Sequence, residues 1–187
     1  MMAKLTTAIL FALVASCAQR EDRICDMVVD GICVSIGNAD LSGECISEAL
    51  ETVYRHYSEQ YKVSFDPEQI AEDNDLYLMF RSEEYVQNLR GKNSDGFYAE
   101  KFDEITIVES RGPGVLLGHL AHEMLHFWNR NVLRYKRPEL FKPSFDEAVI
   151  AHSAPHMFSN WCVEHKGDIC VEDVVRAEIL ASDCGKA

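Results

Sequence analysis

Two histidines one helical turn apart mark the part of the chain whose residue types could do chemistry. They belong to His122-Glu123-Met124-Leu125-His126, an HExxH sequence. On a helix the two histidines lie about 40° apart, so both imidazoles can reach one metal ion, usually zinc. Glu123 lies about 100° from His122, where it can act as general base toward a water molecule that the metal polarises. The spacing therefore predicts a hydrolytic zinc site with His122 and His126 as ligands.

The residues around the motif predict a buried helix from Val115 to about Leu133. Apolar side chains cover most of its circumference, which is typical of a helix inside a core. Buried histidines and a buried carboxylate are costly unless they have partners, and one metal ion would satisfy all three. The alternative is that they are core histidines bonded to backbone carbonyls. His119 lies almost two turns from His126, so we interpret it as a supporting or structural residue and not as a ligand. Gly118 shares a face with His122 and leaves room near the site.

A catalytic zinc also needs a third protein ligand and an open position. The candidate is Glu147, twenty-one residues after His126 and near the start of a helix predicted from Ser144 to about Phe158. Glu147 shares a face of that helix with four apolar residues, and a carboxylate heading an apolar stripe favours a cation. Two alternatives stay open. Ser144 and Glu147 also form a capping box, and Asp146 is another carboxylate, although it points about 100° away.

These residues resemble the gluzincins, the zinc metallopeptidases with HExxH on one helix and a glutamate ligand on a later one. The segment Phe145-Asp146-Glu147-Ala148-Val149-Ile150-Ala151 is similar to the L-x-E-G-x-A form of their second helix, with Ala148 replacing the glycine. The resemblance implies one zinc ion per chain held by His122, His126 and Glu147, with Glu123 as general base and a polypeptide as substrate. It also implies a zincin-like fold in which the strand Ile105 to Val108 would be the edge strand that pairs with extended substrate.

The chain departs from related families at several positions. Asn129 and Val132 stand where metzincins carry glycine and histidine, which excludes that class. The GxMEN motif is absent, which disfavours an aminopeptidase. Ala151 stands where thermolysin-like members carry an aspartate that orients a ligand histidine, so that role is unassigned. The resemblance implies a downstream Tyr or His as oxyanion stabiliser. No tyrosine follows Glu147, and His165 is the candidate because His152 and His156 point away from the metal.

The N-terminus predicts export. Lys4 precedes an apolar run from Leu5 to Ala15, and small residues follow, which is the order of a signal peptide over residues 1–18. The stretch ending at Cys17 resembles the lipobox of bacterial lipoproteins. Cleavage before an acylated Cys17 and ordinary cleavage after Ala18 both stay open, with an uncleaved core helix as the remaining alternative. We expect a periplasmic protein, an outer-membrane-anchored lipoprotein or a secreted protein, with membrane attachment only through a lipidated Cys17.

Cysteine content and charge bound the environment and the partners. Of seven cysteines, the six after Cys17 fit three disulfides in an oxidising compartment, with all fifteen pairings open. They are Cys25, Cys33, Cys45, Cys162, Cys170 and Cys184. No CxxC pair occurs, which disfavours a cysteine zinc site. A net charge of −13 disfavours nucleic acid as a partner.

Helical and strand-like periodicities alternate along the chain. The patterns predict an amphipathic helix over residues 45–61, then short strands between 76 and 108 that are interrupted by a helix from Glu83 to Arg90, which Ser82 caps and Gly91 stops. With the later helices, the last of them from Val171 to Ala181, this order predicts an α+β fold. We expect one domain over residues 19–187, with a small mixed sheet packed on the HExxH helix and a helical C-terminal half. A catalytically inactive zincin-fold binding or structural module at the cell envelope is the alternative function, and a disulfide-rich inhibitor or toxin is disfavoured by the large apolar helix. Cleavage preference and oligomeric state are left open by these patterns.

Overall fold

The computed structural model describes residues 24–92, 94–141 and 170–186. Its strands are β1 (Met27–Val29), β2 (Ile32–Ser35), β3 (Tyr77–Arg81), β4 (Gly96–Ala99) and β5 (Glu104–Val108). Its helices are α1 (Gly43–Tyr61), α2 (Pro67–Asp73), α3 (Glu83–Arg90), α4 (Pro113–Trp128), α5 (Arg134–Lys136), α6 (Cys170–Ala181) and α7 (Asp183–Lys186). A π-helical turn, Asn129–Leu133, joins α4 to α5. This part of the chain is α+β, as the sequence predicts.

Several predictions from the sequence concern residues outside these ranges. They are the signal peptide over residues 1–18 with Cys17, the helix from Ser144 to Phe158 with Glu147, and the loop with His165. The side chain of Cys170 and all of Cys162 also lie outside the described part.

The five strands form one mixed sheet in the order β1-β2-β3-β5-β4. The central strands β2, β3 and β5 are parallel, whereas β1 and β4 are antiparallel to their neighbours. Strand β5 is rich in β-branched residues and buried from Ile105 to Val108, and it is hydrogen-bonded to β3 on one side and to β4 on the other. The expectation that Ile105 to Val108 is the edge strand is therefore wrong. The chain passes from β4 through the tight turn at Glu100–Phe102 and inserts β5 inward, so β4 is the last of the strands that the structure describes.

Helix α4 lies at the centre of the packing because its sequence is apolar on nearly every side. It contacts α1, α6, β4 and β5, and twelve of its sixteen residues are buried. Trp128, at its C-terminal end, packs edge-on against Tyr54, Tyr57 and Phe65, and such aromatic pairs add about 0.5–1.5 kcal/mol each beyond area burial. The HExxH helix is thus held by the core on several sides, as its composition predicts.

Helix α6 packs on α4 and α1 through Val171, Val175 and Ile179, which are at most 6% exposed. A disulfide between Cys45 and Cys184 joins α1 to α7, directly after α6. A second disulfide joins Cys25, before β1, to Cys33 in β2. Two disulfides indicate an oxidising compartment. Among the described residues, no helix is both long enough and apolar enough to cross a membrane.

Candidate metal centre

One group of side chains in the described part of the chain could hold a metal ion. It consists of His122, Glu123 and His126, whose ligand atoms all lie within 4.8 Å of one another. Glu123 and His126 are each 8% exposed, and His122 is half-buried. The group lies on one helix, so the helical repeat sets its geometry and the core around α4 fixes it in place.

The two imidazoles are arranged as a metal ion requires. Their Nε2 atoms lie 3.3 Å apart, and the rings are inclined at 76°. Two nitrogens bound to one tetrahedral zinc at about 2.0–2.1 Å must be separated by about 3.3–3.4 Å. The observed separation matches that value, and imidazole nitrogens beside a carboxylate are a donor set that suits zinc. The residues present therefore fit a zinc ion.

A carboxylate from another helix contacts the far nitrogen of His122. Glu172 on α6 places Oε2 3.1 Å from His122 Nδ1, and its side chain is 5% exposed. Its other oxygen accepts a hydrogen bond from Arg176 Nη1 at 2.9 Å. The two oxygens of Glu172 thus have different partners, one on α4 and one on α6.

The charges of His122, Glu172 and Arg176 shift two pKa values in the metal-free protein. Burial alone would lower the pKa of His122, but the carboxylates of Glu172 and Glu123 together outweigh burial and raise it. Burial alone would raise the pKa of Glu172, but His122 and then Arg176 lower it to about 2. Glu172 is consequently a carboxylate, and not a carboxylic acid, across the physiological pH range.

Two glycines let neighbouring groups approach the site closely. A Cβ atom at Gly118 would lie 3.2 Å from Arg176 Nε, so the room that Gly118 leaves is taken by the Arg176 guanidinium. A Cβ atom at Gly96, the first residue of β4, would lie 2.9 Å from the Thr106 carbonyl oxygen and 3.6 Å from Glu123 Oε1. Glycine at position 96 therefore permits the close approach of the Thr106 carbonyl on the neighbouring strand, and this start of β4 lies beside the carboxylate of Glu123.

His119 lies on α4 but outside the group that could hold a metal. Its Nε2 is 3.9 Å from Asp95 Oδ2, and Asp95 also accepts a hydrogen bond from Arg111 at 2.8 Å. Burial, together with the positive charge of Arg176, lowers the pKa of His119 to about 4. His119 is thus a neutral histidine next to the start of β4.

Reasoning from the sequence missed Glu172, although a signal was present. Glu172, Val175 and Ile179 recur at i, i+3 and i+7 on α6, so this carboxylate lies on an apolar stripe. The same pattern suggested Glu147 as a ligand. Glu147 and His165 lie outside the described residues, so the structure does not place them relative to His122 and His126.

Comparison with known proteins does not assign the chain to a family. No protein-family model matches the chain, and no curated protein or solved structure is significantly similar to it.

Proposed function

We propose that the chain is an exported, gluzincin-like metallopeptidase that hydrolyses peptide bonds with one zinc ion. The observation that carries this proposal is the 3.3 Å separation of the His122 and His126 Nε2 atoms, with the carboxylate of Glu123 in the same group. His122, His126 and Glu147 would hold the metal, and the fold would be zincin-like. The two disulfides support export, because such bonds persist in oxidising compartments.

Each side chain of the centre has a distinct task in this proposal. When bound, zinc supplies Lewis-acid polarisation of a carbonyl group and lowers the pKa of water. Glu123 takes a proton from the attacking water at a carboxylate oxygen and passes it to the amine nitrogen that leaves. Because Glu123 is 8% exposed, bulk water competes little for that proton. A structural zinc site would close its fourth position with another ligand and would need no base. The presence of Glu123 in the group therefore favours a catalytic site over a structural one.

The edge strand beside Glu123 supports a polypeptide as substrate. Within the described residues, strand β4 is the last of the sheet, and an extended peptide can add to such an edge through main-chain hydrogen bonds. The first residue of this strand, Gly96, lies beside Glu123, since a Cβ atom at Gly96 would be 3.6 Å from Glu123 Oε1. A peptide paired with β4 would therefore have its backbone near the general base. This role replaces the one that the sequence suggested for Ile105 to Val108.

We predict that Glu147→Ala weakens zinc binding by more than about 100-fold. Losing a group that merely orients a ligand typically costs about 10–100-fold in affinity, and losing a ligand itself should cost more. Asp146→Ala is the matched control, since it removes the neighbouring carboxylate from the same predicted helix. Zinc dissociation constants from competition with a chromophoric chelator would measure both. An unchanged constant in Glu147→Ala would remove Glu147 from the ligand set, and a loss confined to Asp146→Ala would transfer the role to Asp146.

A further inference from the structure

The two ring nitrogens of His122 have different partners. Nδ1 lies 3.1 Å from a Glu172 carboxylate oxygen, and Nε2 lies 3.3 Å from Nε2 of His126. A neutral imidazole carries its proton on one nitrogen only, and a carboxylate can only accept a hydrogen bond. The Glu172 carboxylate therefore favours the tautomer with the proton on Nδ1, which leaves the lone pair of Nε2 available for a metal.

Glu172 is itself held in a defined position. Arg176 donates from Nη1 to Oε1 of Glu172 at 2.9 Å, which leaves Oε2 for His122. The Arg176 guanidinium lies over Gly118, whose missing side chain leaves the space that it occupies. The four residues thus form one connected set, with Gly118 and His122 on α4 and Glu172 and Arg176 on α6.

Packing of α6 does not by itself call for a carboxylate at this position. Val171, Val175 and Ile179 already bury an apolar stripe of α6, and the Cys45–Cys184 disulfide fastens the adjoining α7 to α1. A buried ion pair is often no more stabilising than apolar side chains of similar volume. A buried charge aimed at His122 is therefore better explained by what it does to the imidazole.

We propose that Glu172 is the positioning residue of the metal centre. It sets the tautomer and the orientation of His122 from a helix that follows the predicted ligand helix, and it takes the role that Ala151 leaves unassigned. This inference rests on the proposed function, because it assumes that His122 binds a metal.

Glu172→Gln tests the proposal with almost no change of shape. Arg176 would draw the amide oxygen of the glutamine toward itself, so the amide NH₂ group would face His122 Nδ1 and donate to it. His122 would then carry its own proton on Nε2, the nitrogen that the metal needs. We expect about 10–100-fold weaker zinc binding. In the metal-free protein at alkaline pH, we also expect the ¹⁵N NMR signals of His122 to change from the Nδ1–H to the Nε2–H tautomer.

Glu178→Gln is the matched control, because Glu178 on the same helix contacts another histidine, His56, at 2.7 Å. It should leave the zinc dissociation constant and the His122 tautomer unchanged. Equal losses in the two variants, or an unchanged constant and tautomer in Glu172→Gln, would overturn the positioning role. If Glu172→Gln does not fold, Glu172→Asp retains the charge but withdraws it from Nδ1. We expect about tenfold weaker zinc binding in that variant, and wild-type affinity would overturn the proposal.

These outcomes separate the positioning role from the proposed function. If the wild-type protein binds zinc and the Glu172 variants keep its zinc affinity and His122 tautomer, only the role of Glu172 is overturned. A wild-type protein that binds no zinc would overturn the proposed function and this role together.

Discussion

Glu123→Gln is expected to lower the rate of peptide hydrolysis by about 10²–10⁴-fold, the usual contribution of a general base. Glutamine has the same shape as glutamate but cannot take a proton from water at neutral pH. Glu123 is buried beside Gly96 of the edge strand, so solvent does not easily replace the missing base. Zinc affinity should stay close to that of the wild type, because His122 and His126 are untouched.

The rates are to be measured by digesting a mixed peptide library with the zinc-loaded proteins and identifying the products by mass spectrometry. Glu84→Gln, which changes an exposed glutamate on α3, is the control and should cleave as fast as the wild type. Equal cleavage by the wild type and Glu123→Gln would show that the base is assigned wrongly. A wild type that binds zinc but cleaves nothing would favour the inactive zincin-fold module.

The second large effect is expected on stability. Replacing Cys45 and Cys184 together by serine should lower the free energy of unfolding by about 5 kcal/mol in the chain-entropy model of disulfides. The reason is that this bond spans 139 residues of sequence and so restricts the unfolded chain strongly. The Cys25–Cys33 bond spans only 8 residues, and its removal should cost about 2.5 kcal/mol in the same model.

Denaturant unfolding of the two double-serine variants, followed by circular dichroism, measures both losses against the wild type. The pair of variants serves as its own control, because each removes one disulfide and two sulfur atoms. A larger loss from the short-range bond would contradict the expectation.

Elements with strong local signals could be predicted from the sequence. Helix α3 begins after Ser82, whose hydroxyl accepts a hydrogen bond from the Tyr85 amide, and ends at Gly91, as the capping residues indicate. The apolar periodicity of α1 and the all-round apolar composition of α4 were also sufficient to predict these two helices. In each case, residues within the segment itself determine the structure.

The short elements β1, β2 and α2 were not predicted, although the β1–β2 turn and the start of α2 carry recognisable signals. Strands β1 and β2 have three and four residues, too few for a periodicity. The turn between them is Asp30-Gly31, with φ of 49° and 75°, and this residue pair is a typical signal of a two-residue hairpin turn. Helix α2 likewise has Asp66 as its cap and Pro67 at its first position, a typical helix start.

Relations between distant segments could not be predicted in the same way. Strands β4 and β5 are joined by the turn at Glu100–Phe102, and either could in principle pair with β3. Long-range packing determines that β5 is the one that does. The same limit applies to the centre. His122 and His126 are positioned by one helix, but Glu172 lies fifty residues after His122 and reaches it only because α6 packs on α4.

X-ray absorption at the zinc edge, on protein loaded with one equivalent of zinc, tests the metal centre most directly. The predicted spectrum shows two imidazole nitrogens at about 2.0–2.1 Å, and in His126→Ala the imidazole contribution should fall by half or zinc should no longer bind. Zinc bound through sulfur at about 2.3 Å, or a spectrum that His126→Ala leaves unchanged, would contradict a centre built on His122 and His126.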